Sequence, residues 1–395
     1  MECYLLGMPY TPFHLERFFA ATEFTTPHLL AVSDCETRSV GDLLDLEPDA
    51  RSRFFGLPLS YTDSAGGGEL REAIVGRYHG IGVDDVLVHA TAVEAIYTTM
   101  RALLEPGDRV VVQMPAYQAL WGAASMAGAQ VEPWWGRPEE GWAPDLDELD
   151  ALLAVPGTRM LVVNSPHNPT GWYADESVLG AIVQAADRAG VRLFCDEAYR
   201  GTEFRGESGP SAVALSSSAL VLGLVSKGLG LPGLRTGWLA SRDKDALDRV
   251  AGYKDFTSIC GSAPSEFLSA LALRHADRIL EETCQLLTEN LSSLTGFMER
   301  HAGVFSWTPP GAGPVTFPSL RDPERWDGAE VFCRRVREEA GVLLAPGPLF
   351  GGLGTGTHRE DALGAAFRIG FGRASFQEGL RAFDRWLGDT LPATD

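Results

Sequence analysis

Residues 222–238 read Leu-Gly-Leu-Val-Ser-Lys-Gly-Leu-Gly-Leu-Pro-Gly-Leu-Arg-Thr-Gly-Trp, and they decide how the rest of the chain is interpreted. The apolar start predicts a buried strand that ends near Lys227, where an unreacted ammonium group is costly to bury. A lysine amine can form a Schiff base with an aldehyde cofactor, and Arg235, eight residues on, can bind that cofactor's phosphate. Gly228–Gly233 also matches the dinucleotide pattern G-x-G-x-x-G. We reject that interpretation because Pro232 and the residues after it do not resemble the start of a helix.

Short apolar runs alternate with longer helical stretches through the middle of the chain. Such runs are typical of strands covered on both faces, so the alternation predicts an α/β fold with a doubly wound, mainly parallel sheet. The predicted strands are Asp85–His89, Arg109–Gln113, Met160–Val163, Arg192–Cys195 and Ala219–Val225, and the predicted helices include Ala92–Leu104 and Ser177–Ala189.

The pattern changes after about residue 282, where a long helical stretch, Pro309-Pro310-Gly311 and then short strands and helices follow. We therefore predict a large domain over residues 46–282 and a smaller α/β domain built from residues 1–45 and 283–395. We expect the glycine-rich stretch Gly351–Gly356 to be a mobile surface loop, with a lid over a site as the alternative.

Polar residues elsewhere in the chain fit a pyridoxal cofactor. Asp196 follows a predicted strand and is placed to keep the ring nitrogen protonated, which lets the ring accept electrons. Asn168 and Tyr199 are candidate donors to the phenolic oxygen, and Tyr117 offers an aromatic face for the ring. The amides of Ala92 and Val93, at the start of a predicted helix, are candidate phosphate ligands because of the helix dipole.

At this point the sequence resembles the class I/II aminotransferase family of fold-type I pyridoxal-phosphate enzymes. The resemblance extends from about Tyr61 to Arg373 and depends on motifs that follow one another in the order of the family. These motifs are Tyr61-Thr, Glu69-Leu-Arg-Glu-Ala-Ile74, Leu104-Glu-Pro-Gly-Asp108, Asn168-Pro-Thr-Gly171, Asp196 with Tyr199, Ser226-Lys227, and Phe367-Arg368-Ile-Gly-Phe371.

The resemblance implies roles for these residues. It makes Lys227, Asp196 and Tyr199 catalytic, with Lys227 holding the cofactor and moving the proton on the substrate's α-carbon. It assigns cofactor contacts to Lys227, Asp196, Asn168, Tyr199, Tyr117, Ala92, Val93, Ser226 and Arg235. It also implies that Arg368, together with Asn168, binds the substrate, with Arg368 gripping the α-carboxylate in a bidentate geometry that lysine cannot reproduce. Tyr61 would reach the cofactor phosphate of a partner subunit, so a homodimer is expected.

Two positions depart from the common pattern. Leu224 stands where many members of the family have a phosphate-binding serine, and Val93 stands where a serine or threonine is frequent. The N-terminal runs 15–24 and 33–36 are similar to a branch of cyclases that act on hydroxylated arginines. The main hypothesis is therefore an aminotransferase acting on an L-amino acid, and the alternative is β/γ-elimination, replacement or cyclisation. Glu16, Asp34 and Glu36 are candidate partners for a cationic side chain, or else merely solvated or capping residues. A ligand-sensing protein that kept the fold is a third reading.

The composition limits the possible partners. The chain has 395 residues with 33 Lys and Arg against 53 Asp and Glu, a net charge of −20. Nucleic acids and anionic membranes both require a basic face, so neither is an expected partner. The six cysteines form no C-x-x-C pair, which predicts neither a metal site nor a disulfide framework. With no signal-peptide pattern at the N-terminus, we expect a cytoplasmic protein.

Overall fold

A computed structural model describes residues 11–204, 208–354 and 357–391. Its helices are α1 His14–Thr22, α2 Val40–Leu44, α3 Ala50–Phe55, α4 Gly68–Val75, α5 Ala92–Leu103, α6 Gln118–Met126, α7 Leu146–Leu153, α8 Glu176–Ala189, α9 Ala212–Leu215, α10 Lys244–Lys254, α11 Ala263–Arg274, α12 Ala276–Arg300, α13 Gly328–Ala340, α14 His358–Asp361 and α15 Phe376–Thr390. Its strands are β1 His28–Leu29, β2 Val86–His89, β3 Arg109–Met114, β4 Gln130–Arg137, β5 Ala143–Pro144, β6 Thr158–Asn164, β7 Arg192–Asp196, β8 Leu220–Leu224, β9 Gly237–Ala240, β10 Phe305–Ser306, β11 Val315–Thr316, β12 Ser319–Leu320, β13 Val342–Leu343, β14 Ala345–Pro346 and β15 Phe367–Gly370.

The main sheet has eight strands in the order β2-β9-β8-β7-β6-β3-β4-β5. Strands β3, β4, β6, β7 and β8 pair in parallel, while β9 is antiparallel to both β2 and β8, and β5 is antiparallel to β4. Alternate residues of each parallel strand enter two different apolar clusters, as Val110 and Val111 do in β3. Both faces are therefore covered, which confirms the predicted α/β fold.

Three strands of this sheet, β4, β5 and β9, were not among the strands predicted from the sequence. Strand β4 contains Pro133 and ends in Gly136-Arg137, so it lacks a continuous apolar run. Strand β9 begins at Gly237, at the end of the stretch that we took for a loop after Lys227. Tertiary pairing with β2 and β8 imposes the extended conformation there, whatever the local propensity.

A third apolar cluster is rich in aromatic residues and lies in the C-terminal part of the chain, around Phe297, Phe332 and Phe383. The N-terminal segment joins it, because β1 pairs in parallel with β13 and the Gly370 amide donates to the Leu30 carbonyl at 2.7 Å. Helix α12 runs without a break across residue 282. The predicted domain boundaries at 45 and 282 stay a prediction.

The predicted loop Gly351–Gly356 is described only as far as Gly354, since residues 355 and 356 lie outside the described residues. In the described part, the amides of Gly352 and Gly354 donate to Glu360 Oε1 at 3.1 and 3.0 Å. None of the helices within the described ranges has the length and apolar character needed to cross a membrane.

Candidate active site

A cavity of about 340 Å³ opens at the edge of the sheet where β6, β7 and β8 end. Ligand sites in open α/β sheets lie at this edge. Most of the predicted site residues line the cavity, namely Ala92, Val93, Tyr117, Asn168, Asp196, Tyr199, Ser226, Lys227, Arg235 and Arg368. Glu16 and Asp34 line it as well, whereas Tyr61 and Glu36 do not.

Lys227 extends into this cavity three residues after the end of β8. Its Nζ donates a hydrogen bond of 2.9 Å to Ser33 Oγ and lies 5.9 Å from the centre of the Tyr199 ring. Burial lowers the pKa of Lys227, and the nearby Asp34 opposes this shift. A lowered pKa favours the neutral amine, which is the form that attacks an aldehyde or imine carbon.

Asp196 is the last residue of β7 and is buried, with 6% of its surface exposed. Its Oδ1 accepts a 3.0 Å hydrogen bond from the Ala198 amide. Burial raises the pKa of Asp196 to about 7, and the Ala198 amide and Lys227 act against the rise. A cationic ring nitrogen beside this carboxylate would favour its ionised form.

Asn164 organises the neighbouring backbone, although we did not predict a role for it. Its Nδ2 donates to the carbonyls of Asp196 and Pro166 at 2.9 and 3.0 Å, and its Oδ1 accepts from the Asn168 amide at 2.7 Å. Asn164 therefore fixes the positions of Asp196 and Asn168 relative to each other. Its place as the last residue of β6, at the same sheet edge, was the available sequence signal.

Arg368 reaches the cavity from β15 and is 1% exposed. It donates to Asn168 Oδ1 at 2.8 Å from Nη1 and to the Ala31 carbonyl at 3.0 and 2.5 Å from Nε and Nη2. Its guanidinium lies 5.7 and 4.9 Å from the ring centres of Phe19 and Phe350. Burial lowers the pKa of Arg368 to about 10, so the side chain remains cationic at neutral pH and suits a carboxylate ligand.

The two predicted tyrosines are held by the N-terminal segment. Tyr199 donates to the Ser33 carbonyl at 3.1 Å, and Tyr117 donates to Glu16 Oε1 at 3.1 Å. Burial raises the pKa of both phenols, so both are protonated donors at neutral pH. Ser33 thus contacts Lys227 through its hydroxyl and Tyr199 through its carbonyl, a role that our sequence analysis did not assign.

The N-terminus of α5 forms the wall that we predicted for the phosphate. The first amides of a helix have no partner within the helix, so those of Ala92 and Val93 are available to an anion. Thr91 caps this helix by accepting from the Glu94 amide at 2.9 Å, and it also lines the cavity, which the sequence analysis missed. A Cβ atom on Gly237 would lie 2.8 Å from the Ala92 nitrogen, so β9 passes this wall at close range.

Arg235 and Ser226, the other predicted phosphate ligands, also line the cavity. Arg235 has a positive φ of 52° and donates from Nη1 to the Pro232 carbonyl at 2.9 Å, while Ser226 is 8% exposed. Leu224, which replaces the usual serine, also lines the cavity and offers no donor. Arg235, Ser226, the Thr91 hydroxyl and the helix amides are therefore candidate donors to a phosphate in this cavity.

The candidate partners for a cationic side chain have different environments. Asp34 forms a two-pronged ion pair with Arg373, at 3.1 and 2.7 Å, and Glu36 accepts from the Ala374 amide at 2.7 Å, away from the cavity lining. Glu16 lines the cavity, and so does Glu23, which we did not predict. Burial raises the pKa of Glu23. Arg373 opposes this shift, and the carboxylates of Asp34 and Glu16 add to it. One wall of the cavity is therefore acidic.

The family profile described as aminotransferase class I and II matches residues 38–371. The chain is similar to a capreomycidine synthase of Streptomyces vinaceus, with 32% identity over 330 residues, 82% of this chain and 80% of that protein. A solved PLP-dependent aminotransferase from Streptococcus suis superposes with a TM-score of 0.88 at 27% identity, covering 98% of this chain and all of that one. The solved PLP-dependent cyclase OrfR superposes with a TM-score of 0.86 at 31% identity, and the alignment also covers 98% of this chain and all of that one. The chain belongs to the class I and II aminotransferase family and is a pyridoxal-phosphate-dependent enzyme.

The described residues fit this cofactor. A half-buried amine with a lowered pKa suits its aldehyde, a buried carboxylate suits its ring nitrogen, and a helix N-terminus beside an arginine suits its phosphate. Tyr61 is 89% exposed and belongs to no part of this cavity. Its predicted contact across a subunit interface stays a prediction.

Proposed function

We propose that the enzyme transfers the α-amino group of an L-amino acid whose side chain carries a positive charge. We infer the substrate class from the acidic wall formed by Glu16 and Glu23. These two carboxylates line the same cavity as Lys227 and Arg368. Carboxylates that are partly removed from water bind a cation better than a neutral group of the same shape, because their own desolvation must be compensated.

The cofactor supplies an aldehyde that links to amines and a ring that accepts electrons from the bonds at the α-carbon. Arg368 binds the substrate's α-carboxylate and so fixes where its α-carbon lies. Lys227 would move the proton on that carbon, and burial lowers its pKa, which favours the neutral amine that can accept a proton. Asp196 would hold the proton on the ring nitrogen of the cofactor, and Asn168 and Tyr199 would bind its phenolic oxygen.

The contacts of Arg368 with the protein support its proposed role as the clamp for the α-carboxylate. Its Nε and Nη2 are used on the Ala31 carbonyl, and Asn168 Oδ1 accepts from Nη1. The guanidinium is therefore held rigidly before substrate binds. A preorganised clamp reduces the entropy that binding costs.

Ring closure on a hydroxylated arginine-like amino acid is a second candidate. It is favoured by the solved structure described as the PLP-dependent cyclase OrfR, at 31% identity, and by the resemblance of the N-terminal runs to a branch of cyclases; the capreomycidine synthase is similar at 32% identity. The same acidic wall would then hold a guanidinium group close to the carbon that it attacks. The two candidates share every residue described above and differ in their products.

We also propose that the enzyme is a homodimer in which Tyr61 reaches the partner's phosphate site. Large apolar side chains are exposed on the segments around Tyr61 and after α10, namely Phe55 at 79%, Leu59 at 84%, Phe256 at 90% and Ile259 at 53%. Exposed apolar side chains concentrated in this way are typical of protein interfaces. We place the enzyme in the cytoplasm, a proposal that the free buried thiols of Cys35, Cys195 and Cys333 support.

Borohydride reduction tests the attachment of the cofactor. We expect the purified protein to bind pyridoxal phosphate, with the cofactor trapped on Lys227 in the wild type and not in Lys227→Ala. Lys244→Ala is the matched control, since Lys244 is an exposed lysine paired with Asp85. Trapping at an unchanged site in Lys227→Ala would show that the lysine is wrongly assigned.

Product analysis separates the reactions and the substrate class. Arginine and its hydroxylated forms are compared with citrulline, which has nearly the same shape as arginine without the charge. A 2-oxo acid that forms in step with a newly aminated acceptor supports transamination, whereas a cyclic product without an acceptor supports the second candidate. Equal turnover of arginine and citrulline would remove the role proposed for the acidic wall.

A further inference from the structure

We propose that Lys254 and Glu266 are positioning residues that hold the segment after Tyr61, so that Tyr61 is presented to the cofactor site of the partner subunit. The proposal rests on the homodimer of the proposed function. It assigns a role to two buried charged side chains that lie outside the cavity and that the chemistry described above does not use.

Lys254 is the last residue of α10 and is 1% exposed. Its Nζ donates to the carbonyls of Ser64 and Ile259, both at 2.6 Å. Burial lowers the pKa of Lys254, while the carboxylates of Glu94 and Glu266 favour its charged form. A single ammonium group thus ties the segment that follows Tyr61 to the turn that follows α10.

Glu266 holds the same segment from the other side. It is 5% exposed, and its Oε1 accepts from Thr62 Oγ1 at 2.9 Å while its Oε2 accepts from the Gly67 amide at 2.8 Å. A Cβ atom on Gly67 or Gly261 would lie 2.8 or 2.2 Å from this carboxylate, so the two glycines make room for it. Thr62, Ser64 and Gly67 are therefore all fixed by buried charges, directly after the exposed Tyr61.

The turn that Lys254 closes is in contact with the phosphate wall of its own subunit. Glu94, in the first turn of α5, accepts from Thr257 Oγ1 and from the Ser258 amide. Ile259 in this turn has a φ of 62°, which is strained for a β-branched residue and is held by the bond from Lys254 to its carbonyl. Because Glu94 holds this turn against α5 without the help of Lys254, Lys254 orients the Tyr61 segment relative to a support that stays in place when Lys254 is lost.

This arrangement predicts in which of the two subunits cofactor binding weakens when Lys254 is replaced. If Lys254 only stabilised its own domain, its loss would weaken cofactor binding in its own subunit. If it positions Tyr61, its loss weakens binding in the partner subunit. Buried charges that lose their partners typically cost enough free energy to change an equilibrium constant roughly tenfold or more.

Mixed dimers distinguish the two cases. In each dimer one chain carries Lys227→Ala, so that cofactor is held covalently only by the other chain. In the first arm Lys254→Met is placed on the Lys227→Ala chain, and in the second arm on the chain that retains Lys227. The reference is the mixed dimer that carries Lys227→Ala in one chain and no change at Lys254. Relative to it, we expect the dissociation constant for pyridoxal phosphate to rise roughly tenfold in the first arm and to stay the same in the second arm. Weakening in the second arm to the same degree, or in neither arm, overturns the proposal.

Further variants and a readout without cofactor complete the test. Lys244→Met, on the exposed face of the same helix, is the control and should behave as wild type. Glu266→Gln is tested in the same two arms if Lys254→Met does not fold. Hydrogen exchange of amides 62–67 in cofactor-free protein should accelerate in Lys254→Met, and unchanged exchange overturns the anchoring. If the wild-type protein binds no pyridoxal phosphate, the proposed function is refuted, but the exchange of amides 62–67 still shows whether Lys254 holds this segment. If the wild-type protein sediments as a monomer, the proposed effect of Lys254 on a partner subunit is overturned.

Discussion

Replacing Asp196 by asparagine should make the cofactor-free protein more stable while it damages the enzyme. The carboxyl group is 6% exposed, and burial raises its pKa from 3.8 to about 7. Each pKa unit corresponds to about 1.4 kcal/mol, so the ionised carboxylate costs the folded protein about 4 kcal/mol above pH 7. The asparagine side chain is neutral, keeps an oxygen that can accept from the Ala198 amide, and avoids this cost.

The sign of the pH dependence follows from the two pKa values. Between pH 4 and pH 7 the unfolded wild-type protein has released the Asp196 proton while the folded protein still binds it. The contribution of this group to the free energy of unfolding therefore falls as the pH rises through that range, and it is constant above about pH 8. The stability advantage of Asp196→Asn should be about 1.5 kcal/mol at pH 5 and about 4 kcal/mol at pH 8.

Urea denaturation of cofactor-free wild type and Asp196→Asn at pH 5 and pH 8 measures this difference. Asp84→Asn is the control, because the Asp84 side chain is 86% exposed and should show little change at either pH. With cofactor bound, Asp196→Asn should turn over substrate at least roughly a hundredfold more slowly, since the ring nitrogen loses its charged partner. An advantage in stability that is absent, or that does not grow between the two pH values, would refute the burial argument.

Three further substitutions probe the walls of the cavity. Arg368→Lys should raise the KM of the amino acid by about a hundredfold, because the planar two-pronged grip is lost, and a change in kcat alone would contradict the assignment. Gly237→Ala should weaken pyridoxal-phosphate binding about tenfold, because its Cβ would lie 2.8 Å from the first amide nitrogen of α5. Gly233→Ala, with open space around its Cβ, is the matched control, and equal binding by both variants would count against the wall as the phosphate site. Glu16→Gln should reduce the preference for arginine over citrulline about fivefold, whereas Glu36→Gln, away from the cavity, should leave the ratio as it is.

The parts of the site that strand patterns alone could predict are those that follow parallel strands, whereas Arg368 was predicted only through the family resemblance. Asp196 and Lys227 come directly after short apolar runs, and parallel strands bring their carboxyl ends to one edge, so these residues had to lie near each other. The start of α5 was predictable for the same reason, since it follows β2 at that edge. Local sequence was sufficient in these cases because the strand itself determines the position.

The contacts supplied by the N-terminal segment could not be predicted in this way. Ser33 lies 194 positions from Lys227 in the sequence, and it is brought there by an N-terminal segment that pairs with β13 and forms hydrogen bonds with Gly370 and Gly372. Glu23 lies in a short 3₁₀ turn after α1, where the sequence pattern indicates an exposed helix end. Long-range packing decides both positions, and a single sequence carries no local signal for it.

Residues of the N-terminal segment line the cavity although they lie outside the part of the chain that the family profile matches. The family profile begins at residue 38, yet Glu16, Ser33 and the Ala31 carbonyl that holds Arg368 all precede it. A chain trimmed to the family span would keep the lysine and the aspartate and would lose one side of the pocket. Exchanging the first 37 residues for those of a relative would replace this acidic side of the pocket together with the Ser33 contacts to Lys227 and Tyr199. An exchanged segment would therefore alter the proposed side-chain preference alone only if it kept the contacts that Ala31 and Ser33 make with Arg368 and Lys227.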